Sequence, residues 1–301
     1  MKTLADIARE SGLNISTLKW LSRSTAHYIR TEKPKPQGGT RVIYSPDIPM
    51  RHAQGYIANV LLLGTVAHPS ANAYVSGKNA KSALQPHTAF KGSFIRLDLK
   101  DFFPSITDVM VDRVIRQAAD IDSEASRVLA GICTLEGRLP QGAITSPKLS
   151  NMVFYTIDDK LWRLAQTWQG CYTRYADDLL FSLGMAVGDN TAQRFINSVA
   201  RILGTNGFKL NPTKTHIMTP PTRKNALSLA VAENVRLYRT ARKQFDALCE
   251  ANTIAVEGGA RSMESADTFY LCGMLAYMQM VNPQDAERMV KKYTWLQKRA
   301  V

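Results

Sequence analysis

Two adjacent carboxylates, Asp177 and Asp178, sit in the run Cys171-Tyr172-Thr173-Arg174-Tyr175-Ala176-Asp177-Asp178-Leu179-Leu180-Phe181-Ser182. Strand-forming residues flank the pair, so the segment reads as a β-hairpin with the acids at its tight turn. Acids there add nothing to a core, and their mutual repulsion is costly without a cation. A divalent metal is the simplest compensation, and phosphoryl or nucleotidyl transfer is the commonest chemistry of such a site. A third acid, Asp98, lies near the end of the apolar strand Phe94-Ile95-Arg96-Leu97-Asp98-Leu99. Three carboxylates from two neighbouring strands can hold two Mg²⁺ ions roughly 4 Å apart, which suits in-line displacement at phosphorus. Oxygen ligands without accompanying His or Cys favour Mg²⁺ over zinc.

The elements around these acids belong to a chain of 301 residues, 45% hydrophobic, which can bury a core for one elaborate domain or several subdomains. Its formal net charge is +13 and points to a polyanionic partner, nucleic acid first and an anionic membrane surface second. The distribution is sharper than the total. Residues 1–97 hold 13 Lys and Arg against 4 acids, residues 98–222 hold 13 against 13, and residues 223–301 hold 12 against 8. A neutral centre carrying the acids thus lies between basic flanks, as a metal-dependent enzyme gripping a phosphate backbone requires. The charged residues among the first twenty leave no secretory h-region, and the apolar stretch Tyr56 to Ala67 is too short to span a bilayer. A cytoplasmic protein is the expectation. Cys133, Cys171, Cys249 and Cys272 are isolated, which suggests neither a disulfide framework nor a zinc site.

Periodicity predicts a helical segment over 3–24 broken at Gly12, either a plain helical hairpin or a helix-turn-helix reader of DNA. A turn-rich basic segment over 33–39 leads into a strand at 40–44. A helix is expected over 50–64 and irregular chain over 68–92. Further helices follow at 108–119, 123–134, 147–166 and 191–206. Beyond Arg223 the pattern predicts helices over 233–251 and 266–299, with a loop at 257–260. Strands and helices around a hairpin with a helical tail make an α+β fold.

Four segments occur in order: Asp98-Leu99-Lys100-Asp101-Phe102-Phe103; Leu139-Pro140-Gln141-Gly142-Ala143-Ile144-Thr145-Ser146-Pro147-Lys148-Leu149-Ser150-Asn151; Tyr175-Ala176-Asp177-Asp178; and Gly207-Phe208-Lys209-Leu210-Asn211-Pro212-Thr213-Lys214-Thr215. Together they resemble the motif series of bacterial reverse transcriptases, most of all the retron type. The resemblance runs from about Tyr28 to the C-terminus. It implies a right-hand polymerase of fingers, palm and thumb, with an antiparallel palm sheet. Residues 1–27 would form an N-terminal helical region, 28–222 interleaved fingers and palm, and 223–301 a helical thumb. Asp98, Asp177 and Asp178 would bind the metals, one ion activating a primer 3′-hydroxyl and the other neutralising the leaving pyrophosphate. Gln141 and Gly142, at the start of a helix, would pack against the incoming nucleotide and template. Phe103 falls where an aromatic lies under the sugar and collides with a 2′-hydroxyl, favouring deoxynucleotides (dNTPs). Lys214 would contact the triphosphate and protonate pyrophosphate, and Arg41 would clamp the triphosphate from the fingers. Asp101 is expected to cap the next segment. Arg174 would support the hairpin or touch the primer.

The resemblance further implies a cognate structured noncoding RNA as template, a cDNA product and an effector protein, in antiphage defence. Two segments depart from the retron pattern. Ala83-Leu84-Gln85-Pro86-His87 keeps only the His of Asn-Ala-x-x-His, and Asn225-Ala226-Leu227 stands in place of the Val-Thr-Gly associated with recognition of the RNA. A defence-associated reverse transcriptase outside the true retrons, or an RNA-binding scaffold restraining an effector, would share much of this pattern. In the tail, Arg236, Arg239 and Lys243 recur at helical spacing, a stripe suited to phosphates of an RNA–DNA duplex. Phe269, Leu271, Met274, Tyr277, Tyr293 and Leu296 read as thumb core.

Overall fold

The computed structural model describes residues 1–34, 38–257 and 265–295. Helix α1 (Leu4–Ser11) is closed by a capping box between Thr3 and Asp6 and stopped at Gly12, whose φ of 71° is left-handed. Helix α2 (Ile15–Leu21) is capped by Asn14. Strands β1 (Tyr28–Pro34) and β2 (Thr40–Pro46) form an antiparallel ribbon. Only β2 was expected. Every β1 residue after Tyr28 is exposed, so no apolar alternation announces the strand.

Helix α3 (Ile48–Tyr56) runs on through a π turn at Ile57–Leu61. The segment expected to be irregular contains α4 (Ala80–Leu84) and a 3₁₀ turn, Gln85–Ala89. Then come β3 (Phe94–Asp98), α5 (Phe102–Ser105), α6 (Asp108–Ala119), α7 (Ser123–Cys133) and α8 (Ser146–Thr167). They are followed by β4 (Cys171–Tyr175), β5 (Asp178–Ser182), α9 (Asp189–Gly204) and β6 (His216–Met218). The N-terminal helices pack on α7 as a helical hairpin, with Leu4, Ile7, Leu18 and Leu21 buried.

The tail departs from expectation. Instead of a helix from 233, strands β7 (Lys224–Ala226), β8 (Leu229–Val231) and β9 (Val235–Leu237) form an antiparallel sheet, and only then does α10 (Arg239–Glu257) begin. The β7–β8 connection is a two-residue turn whose central residues, Leu227 and Ser228, have φ of 52° and 61°. Two positive φ values match the right-handed twist of a hairpin, but turns of this kind normally advertise themselves through Asn or Gly. The expected helix over 266–299 is two, α11 (Ser265–Val281) and α12 (Pro283–Lys292), parted at Asn282 because Pro283 lacks a backbone donor. Residues 258–260 of the expected loop, the Phe269 side chain and Leu296 lie outside the described residues.

A four-stranded antiparallel sheet, in the order β4-β5-β3-β6, organises the centre. Its alternating residues feed two cores. Ile95, Leu97, Leu179 and Phe181 join the large cluster with Val111, Leu129, Phe154, Leu161 and Phe195 from the helices. Phe94, Leu180 and Met218 point the other way, into a cluster with Ala83, Leu84, Leu229 and Val235. With both faces covered, the sheet is a rigid base whose strand ends are free to carry chemistry. A third cluster, including Phe245, Leu271, Met278, Met289 and Tyr293, holds α10–α12 together.

Candidate active site

The acid pair sits where the hairpin pattern placed it. Tyr175 pairs with Asp178, leaving Ala176 and Asp177 as a two-residue turn between β4 and β5. Ala176 carries a left-handed φ of 56°, unfavourable for a residue with a Cβ and therefore held by its surroundings. Asp98 is the cross-strand partner of Asp178, and the Leu99 amide donates to the Asp177 carbonyl at 2.9 Å. All three acids thus stand at one end of β3 and β5.

Their electrostatics are asymmetric. Asp98 is buried; its carboxylate accepts from Lys214 Nζ at 3.0 Å and Asn211 Nδ2 at 3.3 Å. Asp178 accepts from Arg96 Nε at 2.8 Å. Arg96 lies two residues before Asp98, on the same face of β3, so strand alternation was a signal that sequence reading did not use. Asp177 has no ion pair among the described residues. Burial first, then the neighbouring charges of Asp178 and Asp98, hold its carboxyl above the usual range. Burial also raises Asp178, against the opposing pull of Arg96.

As placed, no three His, Cys, Asp or Glu side chains among the described residues form a ready-made metal cage. Two of the three carboxylates instead hold a side-chain cation. The donor set nevertheless fits a hard divalent ion: it is all oxygen, it gathers at one strand end, and its ionised form is penalised at Asp177.

Asp98 and Asp177 open into a cleft of about 1030 Å³. Arg41, Phe103, Gln141 and Lys214 line it together with Asp98 and Asp177, from five separate stretches of sequence. Arg41 lies near the Pro34–Thr40 end of the β1–β2 ribbon, where the two strands connect, opposite Lys33. Phe103 rides on the short α5, which starts after Asp101 turns the chain with φ 48°. Asp101 makes no side-chain capping bond, so its contribution is that backbone turn and not the expected cap. Its neighbour Phe102 is buried in the core. Gln141 and Gly142 form a turn; the helix expected to begin there starts at Ser146. The Gln141 carbonyl accepts from the Tyr44 amide at 2.8 Å. Gly142, with φ 117°, faces β2 so closely that a Cβ would lie 2.7 Å from the Tyr44 carbonyl oxygen. It is exposed and outside the cleft lining, and its close approach joins the Gln141 turn to the ribbon. Lys214 ends a 3₁₀ turn, Pro212–Lys214, started by the Asn211 side chain.

The basic stripe expected in the tail is not one helical face. Arg236 lies on β9, while Arg239 and Lys243 lie on α10, because the sheet displaces the helix start. All three are exposed, and none lines the cleft.

Behind the acid turn lies a polar network that sequence reading missed. Arg174 is wholly buried, so of its two expected roles it supports the hairpin and does not reach a primer. Its guanidinium grips Asp158 through Nε at 2.9 Å and Nη2 at 2.7 Å, and donates to Asn151 Oδ1 at 3.0 Å. From Nη1 it donates to the Ala176 carbonyl at 3.2 Å, the strained residue beside Asp177. Tyr172 donates its hydroxyl to Asp158 at 2.8 Å. The clue was Asp158 itself, an acid in the buried stripe Asn151, Phe154, Asp158, Leu161, Ala165 of α8.

His87 braces the same hairpin from its other face. Thr173 spends its hydroxyl proton on the Ala83 carbonyl, so it accepts from His87 Nε2 at 2.9 Å, leaving Nδ1 to accept from Ser182 Oγ at 2.9 Å. Full burial pushes the imidazole down to about 3, so it is neutral and structural.

Residues 33–251 match the family described as "Reverse transcriptase (RNA-dependent DNA polymerase)". The chain is similar to the retron Mx65 reverse transcriptase of Myxococcus xanthus, 30% identical over 318 residues, covering 97% of this chain and 71% of that protein. It is 28% identical over 332 residues to the retron Mx162 reverse transcriptase of the same organism, covering 98% and 67%. To the retron Ec86 reverse transcriptase of Escherichia coli it is 26% identical over 303 residues, covering 99% and 91%.

Proposed function

This chain belongs to the reverse transcriptase family, as a retron-type RNA-directed DNA polymerase, and from that premise we propose that it copies a structured noncoding RNA into DNA at the cleft beside Asp98, Asp177 and Asp178. The observation that carries the proposal is the convergence of the strand-end carboxylates Asp98 and Asp177, with Asp178 paired beside Asp98, and of Arg41, Phe103, Gln141 and Lys214 around one cleft. Two Mg²⁺ ions held by Asp98, Asp177 and Asp178 would supply activation of the primer 3′-hydroxyl and charge neutralisation at the leaving pyrophosphate.

The remaining chemistry belongs to the chain's own side chains. Arg41 neutralises the triphosphate from the ribbon, and Lys214, moving off Asp98, reaches the leaving phosphates and donates a proton. The Phe103 ring occupies the space a 2′-hydroxyl needs. Gln141 orients the base pair being formed, while Gly142 ties that wall to β2. Arg236, Arg239 and Lys243 contact duplex phosphates from two elements. Residues 28–222 act as fingers and palm, 223–301 as thumb, with 1–27 as an N-terminal support. The sheet β7–β9 shares a core with Phe94, Leu180 and Met218 of the central sheet, which makes the palm–thumb junction a packed one. The cDNA and its RNA serve antiphage defence together with an effector protein.

The test is to purify the wild type and Asp177→Ala/Asp178→Ala from cells carrying the native flanking DNA, and to sequence the co-purifying nucleic acid. DNA covalently joined to RNA, in the wild type only, is the expected result. Unlinked DNA would indicate a defence-associated enzyme outside the true retrons. RNA alone with both proteins would favour a scaffold and sink the polymerase reading of the cleft.

A further inference from the structure

Tyr74 lines the same cleft as Asp98 and Asp177, yet no motif marks it. Its ring meets that of Phe103, centroids 6.2 Å apart and planes tilted by 46°. It is 50% exposed, and its φ of 61° places a bulky aromatic residue in the left-handed region. Core packing does not explain a large ring left half bare on a strained backbone.

The loop that carries it is fastened on every side. The Arg174 amide donates to the Ser70 carbonyl, and the Asn72 amide to the Arg174 carbonyl, each at 2.8 Å, so residues 70–72 run as an extra edge beside β4. Lys78 Nζ clasps the carbonyls of Pro69 at 2.6 Å and Ala71 at 2.9 Å. Asn151 Nδ2 holds the Ala73 carbonyl at 3.0 Å. The same Asn151 accepts from Arg174, so one buried network anchors both the residue before Tyr74 and the turn that carries Asp177. The Tyr74 hydroxyl is raised by burial and then by the charge of Asp177, while Arg41 opposes the shift, so the ring lies within electrostatic reach of both residues.

We propose that Tyr74 is a nucleotide-contacting residue, forming with Phe103 a two-ring seat for the sugar of the incoming dNTP. The inference rests on reading the cleft as the dNTP site. Two ring faces suit the C–H surface of a deoxyribose and offer no partner for an extra hydroxyl, so the seat adds to deoxynucleotide preference.

Single-nucleotide incorporation on a primed RNA template separates the possibilities. Tyr74→Ala is expected to raise KM for dNTP about ten-fold with the primer–template Kd unchanged, and Tyr74→Phe to stay within about two-fold of wild type. Tyr74→Gly should show the same KM defect while melting no lower than wild type, since glycine relieves the left-handed backbone. A purely structural Tyr74 would instead lose Tm and activity together in Tyr74→Gly, which would overturn the inference. So would an unchanged KM in Tyr74→Ala, or a defect confined to primer–template Kd. Failure of the wild type to incorporate any dNTP would overturn the reading of the cleft itself, before Tyr74 is in question.

Discussion

The Arg174–Asp158 pair should be separable into a part that holds the fold and a part that holds the acid turn. Both side chains are wholly buried, and the guanidinium donates to both Asp158 oxygens, to Asn151 and to the Ala176 carbonyl. Asp158→Ala leaves that guanidinium charged and unpaired in the core, a defect worth roughly 3–5 kcal/mol. On a domain of this size the expected loss of Tm is on the order of 10 °C. Replacing both partners by apolar residues of similar bulk, Arg174→Met with Asp158→Leu, removes the buried charges and should recover most of that stability. The double variant still lacks the donor to Ala176, a charge-assisted hydrogen bond worth about 1.5–3 kcal/mol. If that bond holds Asp177 in its working position, kcat falls by roughly ten- to a hundred-fold while the Tm returns. The assays are thermal melts and single-nucleotide incorporation on an RNA template, for both variants. Recovery of activity along with stability would refute the positioning argument, and a double variant as unstable as Asp158→Ala would refute the energetic one.

Asp177→Asn should abolish incorporation yet raise the Tm at pH 7. Burial and two neighbouring acids raise the Asp177 carboxyl in the folded state, so its ionised form weakens the fold above that raised value. Stability is regained as pH falls toward the unfolded value near 3.8, and melts of wild type and Asp177→Asn at several pH values should converge there. Added Mg²⁺ should raise the Tm of the wild type and leave Asp177→Ala/Asp178→Ala unmoved, by mass action on the folded state. Gly142→Ala would press a Cβ to 2.7 Å from the Tyr44 carbonyl oxygen and 2.8 Å from Ile43 Cγ2, displacing the ribbon that bears Arg41. A higher dNTP KM together with a lower Tm is expected, and wild-type values for both would dismiss the contact. Phe103→Ala should increase ribonucleotide incorporation relative to deoxyribonucleotide; no change would make Phe103 a core residue only.

Much of the α+β fold was legible because its elements carry their own signals. The helices over 108–119, 123–134 and 147–166 match α6, α7 and α8 within a residue or two, since each presents an apolar stripe to the large core. The strand β1 and the sheet β7–β9 were not legible. One is exposed almost throughout, and the other is made of three-residue strands whose first turn uses Leu and Ser at positive φ. Missing that sheet is what misplaced Arg236 on a helix with Arg239 and Lys243.

The sequence by itself determined where the acids lie. Two acids at a tight turn, a third ending an apolar strand, and basic flanks around a neutral centre can be read along the chain, because charge and strand alternation are local properties. Tertiary structure alone decided how those acids are held. Asp158 lies 16 residues from Arg174, and Asn151 lies 78 residues from the Ala73 carbonyl it grips. No local pattern specifies such meetings; they follow from how α8 packs across the sheet. The same packing decided between the two roles open to Arg174, burying it as the anchor of the acid turn, and brought an unmarked Tyr74 against Phe103.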